Sequence, residues 1–138
     1  MTGKKKVQRF LYGRESYLIR GACYEVWNHL RGVFKERAVD SALRREFTLR
    51  GLATEAQKRI LLSYKGERIG MYVPDFVIED KVLIELKAKS YLTKDDERQF
   101  WYYLRGSPYK LGFLVNFGPS RLEIRRRVYD KARARYSA

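Results

Sequence analysis

The sequence predicts a single α/β domain with a mixed central sheet flanked by helices, in the order α-α-β-β-β-α-β-β. Three observations carry this reading. Apolar residues recur with helical spacing up to residue 50, then change to the two-residue alternation of strands from residue 57. A third helical stretch, near residues 93–106, lies between two strongly apolar strand-like runs. A helix joining two such runs is a crossover, so the strands on either side of it should be parallel. The chain has 138 residues, 45% of them hydrophobic, which suits one folded domain and not a disordered chain.

In chain order, Leu18, Ile19, Ala22, Cys23, Val26, Trp27 and Leu30 form one apolar stripe over about 15–30, and Gly32 ends that helix. A second helix is expected over about 40–50, with Ala42, Leu43 and Phe47 on one face and Gly51 in the C-terminal stop position. Residues 57–64 alternate, placing Ile60, Leu62 and Tyr64 on one side of a strand. Lys65-Gly66 is a turn. Residues 68–78 then read as a second strand and 82–88 as a third, completing a meander. Thr93 starts the third helix, with Asp96 in a capping-box position, and Gly106 stops it. Leu111–Val115 is continuously apolar, as in a strand buried on both faces. The last strand, about 121–128, alternates Leu122 and Ile124 with charges.

Charge and composition narrow the function. The net charge is +14, from 30 Lys and Arg against 16 Asp and Glu. Residues 1–14 hold five bases and no acid, and residues 121–138 hold seven bases against Glu123 and Asp130. The stretch between them carries only +4. Basic ends on a folded domain point to a polyanion partner, nucleic acid foremost. The organisation expected is a basic segment at 1–13, a domain at 14–128 and a basic tail at 129–138. One cysteine, Cys23, excludes an internal disulfide and a cysteine-based zinc site; one histidine, His29, excludes the usual zinc enzymes. Cys23 reads as a small buried hydrophobe and His29 as a surface or capping residue. No apolar run is long enough to span a membrane, and no apolar segment follows Lys4–Lys6 to make a signal peptide. A cytoplasmic protein without a membrane partner is the expectation, and a homodimer stays open.

Without a spare His or Cys and without a Gly-rich phosphate loop, carboxylates are left as the reactive groups. On the strand at 82–88, Val82, Ile84, Leu86 and Ala88 share one face, while Glu85 and Lys87 share the other with Leu83. An acid and a base within an apolar strand are costly to bury without partners. Asp75, just after Pro74, is a second acid in apolar surroundings. If Glu79-Asp80-Lys81 forms a three-residue loop, Val77 pairs with Leu83, and Asp75 faces Glu85. A two-residue loop would put the acids on opposite faces. The first register is favoured. Two facing carboxylates repel, and a hard divalent cation with oxygen ligands relieves that repulsion. Glu25, at the margin of the first helix's apolar stripe, is a candidate third acid aimed at the same spot; taken alone, a solvated helix glutamate is its ordinary reading.

Pro74-Asp75, nine intervening residues, then Glu85-Leu86-Lys87 resembles the signature of the PD-(D/E)XK nucleases. More closely, Gly21 to about Arg125 resembles the small prokaryotic GxxExxY proteins of that superfamily. The matching stretches are GACYEV at 21–26, LRGL at 49–52, YKGERI at 64–69, VLIELKA at 82–88, YYLR at 102–105 and LVNFG at 114–118. The motif that names the branch is incomplete: its glutamate is Glu36, but its Gly and Tyr positions hold Val33 and Val39. Gln99-x-x-x-Tyr103 is similar to the QxxxY motif of RecB-like nucleases. The resemblance implies a restriction-endonuclease-like core and metal-dependent hydrolysis of phosphodiester bonds, in DNA more than RNA. It implies Asp75, Glu85 and Lys87 as catalytic residues. Mg²⁺, with Mn²⁺ able to substitute, would sit on Asp75, Glu85 and the Leu86 carbonyl, with Glu25 joining directly or through water. Gln99 and Tyr103 would position the substrate. The alternative is a non-catalytic nucleic-acid-binding protein or partner subunit on the same fold.

If the basic ends track the phosphate backbone, deleting residues 129–138 removes Lys131, Arg133 and Arg135 and lowers the slope of log affinity against log salt by about 0.9 per lost duplex phosphate contact. Titrations at several salt concentrations read this directly. An unchanged slope after removing both 1–9 and 129–138 would make the terminal charge merely solubilising.

Overall fold

The computed structural model describes residues 11–31 and 35–129. The basic segments at 1–10 and 130–138, and Gly32 as a helix stop, lie outside the described residues. α1 (Gly13–Leu30) buries Ile19, Ala22, Cys23 and Val26, positions one turn apart along a single face. α2 (Glu36–Leu49) begins four residues before the position expected from Asp40, because its apolar stripe begins with Val39 and continues through Leu43 and Phe47. Gly51 follows it in the left-handed region at φ 75°, the conformation that closes a helix end and that a side chain would oppose.

The strand region departs from the expected meander. β1 (Thr54–Ala56) is a short strand the periodicity did not reveal. Gln57, left-handed at φ 59°, breaks the chain there, so β2 runs only over Ile60–Tyr64. The expected strand at 68–78 is two strands: β3 (Glu67–Tyr72) and β4 (Phe76–Ile78). Pro74 lies in the break. It has no N–H for a ladder and restricts the residue before it. β2 and β3 form a separate two-stranded ribbon, and Tyr64 is exposed where it was expected beside Ile60 and Leu62.

The central sheet has the order β1-β4-β5-β6-β7, with β5 (Val82–Lys87), β6 (Leu111–Phe117) and β7 (Leu122–Val128). β4 and β5 pair antiparallel in the favoured register: Phe76 with Ile84, Val77 with Leu83, Ile78 with Val82. In the connecting loop Glu79 and Asp80 are left-handed, at φ 54° and 49°. Neither is glycine, and side-chain bonds hold the strained tip. Glu79 accepts from the Ala53 N–H (2.6 Å), and Asp80 accepts from Lys58 Nζ (2.9 Å) and Tyr109 Oη (2.7 Å). α3 (Lys94–Gly106) carries the capping box between Thr93 and Asp96 and makes the crossover. β5 and β6 are parallel, and β7 returns antiparallel to β6. All seven residues of β6 are buried.

The sheet divides the core in two. Val82, Ile84 and Leu86 meet α1 and α2 on one face. Val77, Leu83 and Leu114 meet α3 and the ribbon's Ile60, Leu62 and Tyr72 on the other. Alternation along β5 therefore sends Glu85 and Lys87 to the α3 side. No helix among the described residues is long and apolar enough to cross a membrane.

α3 approaches β6 closely at Gly112, where a Cβ would stand 2.6 Å from Phe100 Cζ. Gly112→Ala should therefore destabilise the fold by roughly 1–3 kcal/mol, the range for overpacking. Chemical denaturation measures this, and adding Phe100→Leu should recover part of the loss.

Candidate active site

Asp75 stands where the chain enters β4, immediately after the Pro74 break, and Glu85 and Lys87 alternate on neighbouring β5. Continuing the β4–β5 register by one residue sets Asp75 opposite Glu85. Asp75 Oδ2 accepts the Leu86 N–H at 2.7 Å. Both carboxyls are half-buried, and the cost is visible in their acidities. Glu85 is raised from 4.5 to about 7, by burial first and then by the neighbouring Asp75 charge, with Lys87 and the Tyr72 hydrogen bond pulling the other way. Asp75 is also raised, by burial first, against the Leu86 N–H, which favours its charged form.

The other acids whose charges act on Asp75 are Glu36 and Asp40, from the first turns of α2. Glu25 is not brought to the pair. It is exposed on α1 and meets His29 Nε2 at 3.2 Å. α1 and α2 pack on the same Ile84 and Leu86 face of the sheet, so the difference lies in where each acid stands on its helix: Glu25 is turned to solvent beside His29. Val39, in the branch motif's tyrosine position, is a core residue of α2. Cys23 is fully buried and its thiol is pushed up to about 12 by that burial, which removes it as a nucleophile.

Gln99 is exposed on α3 and its Nε2 meets Tyr103 Oη at 3.5 Å. The Tyr103 ring stacks on Tyr72, with centroids 4.1 Å apart and planes 7° from parallel. Tyr72, buried at the end of β3, donates from Oη to Glu85 Oε1 at 3.1 Å. Its phenol is pushed up by burial and by the Glu85 charge, so it stays a donor. Sequence reasoning missed Tyr72: treating 68–78 as one strand gave it no defined neighbour. It also missed Asn116 and Glu123, both buried. The Asn116 amide donates to Lys89 O (2.9 Å) and Glu123 Oε1 (3.0 Å) and accepts the Lys89 N–H (2.9 Å), while Glu123 accepts the Leu92 N–H (2.9 Å). These bonds anchor the segment that leaves β5 just beyond Lys87. Burial disfavours the Glu123 charge, but the hydrogen bonds prevail and lower its pKa.

The donor set at the Asp75–Glu85 pair is all oxygen. Among the described residues no group of three His, Cys, Asp or Glu side chains is gathered to hold a metal ion. Two carboxylates still fit Mg²⁺, which commonly takes one or two and keeps several waters.

The raised Glu85 pKa predicts a stability difference with a defined sign. With a chelator present, Glu85 is protonated both folded and unfolded below about pH 4.5, and its burial then costs nothing extra. As pH rises towards about 7, the unfolded state ionises first and the folded state loses stability relative to it. Glu85→Gln should therefore gain on the native chain across that window, levelling above it at a difference on the order of 2 kcal/mol. Urea denaturation at several pH values tests this; a difference independent of pH would contradict it.

The profile of the PD-(D/E)XK nuclease superfamily matches residues 13–127. Curated proteins offer no match. Among solved structures, the chain is similar to an alkaline exonuclease from Laribacter hongkongensis, at 15% identity and a TM-score of 0.48, covering 67% of this chain and 55% of that one. It is also similar to SSO0001, at 18% identity and a TM-score of 0.45, covering 91% of this chain and 82% of that one. The chain thus spans little more than half the length of the exonuclease. The match over 13–127 takes in every helix and strand from α1 to β6 and all but the last residue of β7, and by it this chain belongs to the PD-(D/E)XK nuclease superfamily.

Proposed function

We propose that the protein is a metal-dependent nuclease of the GxxExxY branch that hydrolyses phosphodiester bonds in DNA. The observation that carries this reading is the placement of Asp75 opposite Glu85, with Lys87 on the same face of β5. The two carboxylates are raised by burial, and Glu85 also by the Asp75 charge. That is the electrostatic state a bound cation reverses.

Asp75, Glu85 and the Leu86 carbonyl would hold Mg²⁺ or Mn²⁺. Glu36 and Asp40 are the acids that add negative potential at Asp75, and they replace Glu25 in this proposal. A divalent cation, when bound, supplies Lewis-acid activation of water and offsets charge on the scissile phosphate. Lys87 holds its ammonium beside the carboxylates. There it orients the attacking water or hydrogen-bonds the phosphate oxygens as negative charge grows on them. Gln99, exposed on α3, offers an amide to the substrate, and Tyr103 presents a half-buried ring beside it. β7 forms one edge of the sheet and carries Arg125, Arg126 and Arg127; Arg125 and Arg127 pair with Glu97 and Arg126 donates to the Leu11 carbonyl, so only part of their charge faces a phosphate backbone.

Labelled single- and double-stranded DNA incubated with Mg²⁺, Mn²⁺ or EDTA tests the reading. Cleavage is expected with either cation and none with EDTA. Asp75→Asn should abolish turnover. Lys87→Ala should lower kcat by roughly 100-fold or more, with DNA affinity in EDTA nearly unchanged. Tight binding without cleavage under every metal condition would replace this reading with a non-catalytic binding protein. A parallel loss of affinity and rate in Lys87→Ala would make that lysine an ordinary phosphate contact.

A further inference from the structure

We infer that Tyr72 is the positioning residue for Glu85, and that the Tyr103 ring acts on that carboxylate through its stack on Tyr72, while Gln99 faces the substrate. The inference rests on the nuclease reading above and assigns a role to a residue outside the superfamily signature in this chain.

The geometry is a connected chain of contacts from the surface of α3 to the carboxylate. Gln99 Nε2 meets Tyr103 Oη at 3.5 Å. Tyr103 lies flat on Tyr72, 4.1 Å between centroids. Tyr72 Oη donates to Glu85 Oε1 at 3.1 Å. Tyr72 is only 5% exposed, so its ring has one place to lie. A glutamate on a strand has three side-chain torsions, and the last is broad and weakly restrained. A fixed donor on one oxygen sets that torsion and leaves the remaining lone pairs of the carboxylate directed to other partners. Groups that fix a ligand's orientation in this way typically change metal affinity by 10–100-fold when removed.

Tyr72 also comes from outside the central sheet. It ends β3, in the two-stranded ribbon. An isolated two-stranded ribbon is marginally stable in water, and this one is seated by Ile60, Leu62 and Tyr72 against α3. The approach is close: a Cβ on Gly106 would stand 3.1 Å from Leu62 Cδ2. The position of the phenol therefore depends on α3, the helix that bears Gln99 and Tyr103. A change in how α3 is held reaches Glu85 without any movement of the strand that carries it.

The test uses the full chain with three variants, and Mn²⁺ as the probe. Tyr72→Phe keeps the stack and removes the hydroxyl. Tyr103→Leu removes the stack and keeps the hydroxyl of Tyr72. Tyr103→Phe keeps the stack and removes the Gln99 contact. Mn²⁺ affinity is measured by calorimetry without DNA, thermal melting reports folding, and kcat and KM are measured on DNA. Tyr72→Phe should weaken Mn²⁺ binding by about 10-fold or more and lower kcat with KM little changed, and raised Mn²⁺ should restore much of the rate. Tyr103→Leu should move the same quantities in the same direction by less. Tyr103→Phe should leave Mn²⁺ affinity near that of the native chain. Tyr72→Phe with Tyr103→Leu should be no worse in Mn²⁺ affinity than Tyr72→Phe alone, as for two residues acting in one chain.

Native Mn²⁺ affinity in a folded Tyr72→Phe variant overturns the inference. Should Tyr72→Phe fail to fold, Tyr103→Leu decides: a change in KM alone, with Mn²⁺ affinity intact, also overturns it. If the native chain binds Mn²⁺ with the expected variant pattern but cleaves nothing, the nuclease reading fails and the positioning role stands. If the native chain binds no Mn²⁺, both fall.

Discussion

Pro74 interrupts what would otherwise be one long strand, and much of the architecture follows from that interruption. A proline cannot donate to a ladder and biases its predecessor away from helical geometry. The chain before it, β3, pairs with β2 and leaves the central sheet. The chain after it, β4, pairs with β1 on one side and β5 on the other. Asp75 falls at the junction, where the backbone is free of the ladder but the β4–β5 register still places it opposite Glu85. The same break leaves Tyr72 at the end of the ribbon, close enough for its hydroxyl to reach Glu85. An uninterrupted strand could not supply both groups from one stretch of chain to one carboxylate.

The surrounding structure makes room for this concentration of acid at a cost. Both carboxyls are raised by partial burial, so the site destabilises the fold at neutral pH when no cation is present. Compensation is found in the apolar layers above and below, including a β6 buried along its whole length. It is found also in the buried Asn116 and Glu123, which bond each other and the backbone after β5. Unlike the Asp75–Glu85 pair, that network has its hydrogen bonds complete, and it holds its glutamate charged. Glu85 on β5 and Glu123 on β7 thus have opposite electrostatic fates: burial and the Asp75 charge outweigh the one Tyr72 donor at Glu85, while the hydrogen bonds at Glu123 outweigh its burial.

Much of the Asp75–Glu85 face was legible from residue order because strand alternation is an exact two-residue period. The spacing of Asp75 and Glu85 favours a three-residue loop and a common face over a two-residue loop and opposite faces, and the Thr93–Asp96 box marks the start of α3. Glu25 was the opposite case. Its place on the helical wheel said only that it bordered an apolar stripe. Whether that border reaches the site depends on where α1 lies along the sheet and which way its margin turns, and a wheel contains no information about the sheet. Glu36 belongs to a motif that is incomplete in this chain, yet it opens the helix whose acids, Glu36 and Asp40, act on Asp75.

The sequence by itself determined the class of fold and the crossover with its parallel β5–β6 pair, favoured the β4–β5 register, and singled out Asp75, Glu85 and Lys87 as candidates. Each is set by local periodicity, by a cap or by loop length, quantities that neighbouring residues along the chain define. The tertiary structure alone decided that β2 and β3 form their own ribbon, that α2 and not α1 brings acids to Asp75, and that Tyr72 stands against Glu85. These depend on where along the sheet each helix lies and on which strands pair across long separations. Such choices are settled by burial of whole surfaces, and no short stretch of sequence encodes them.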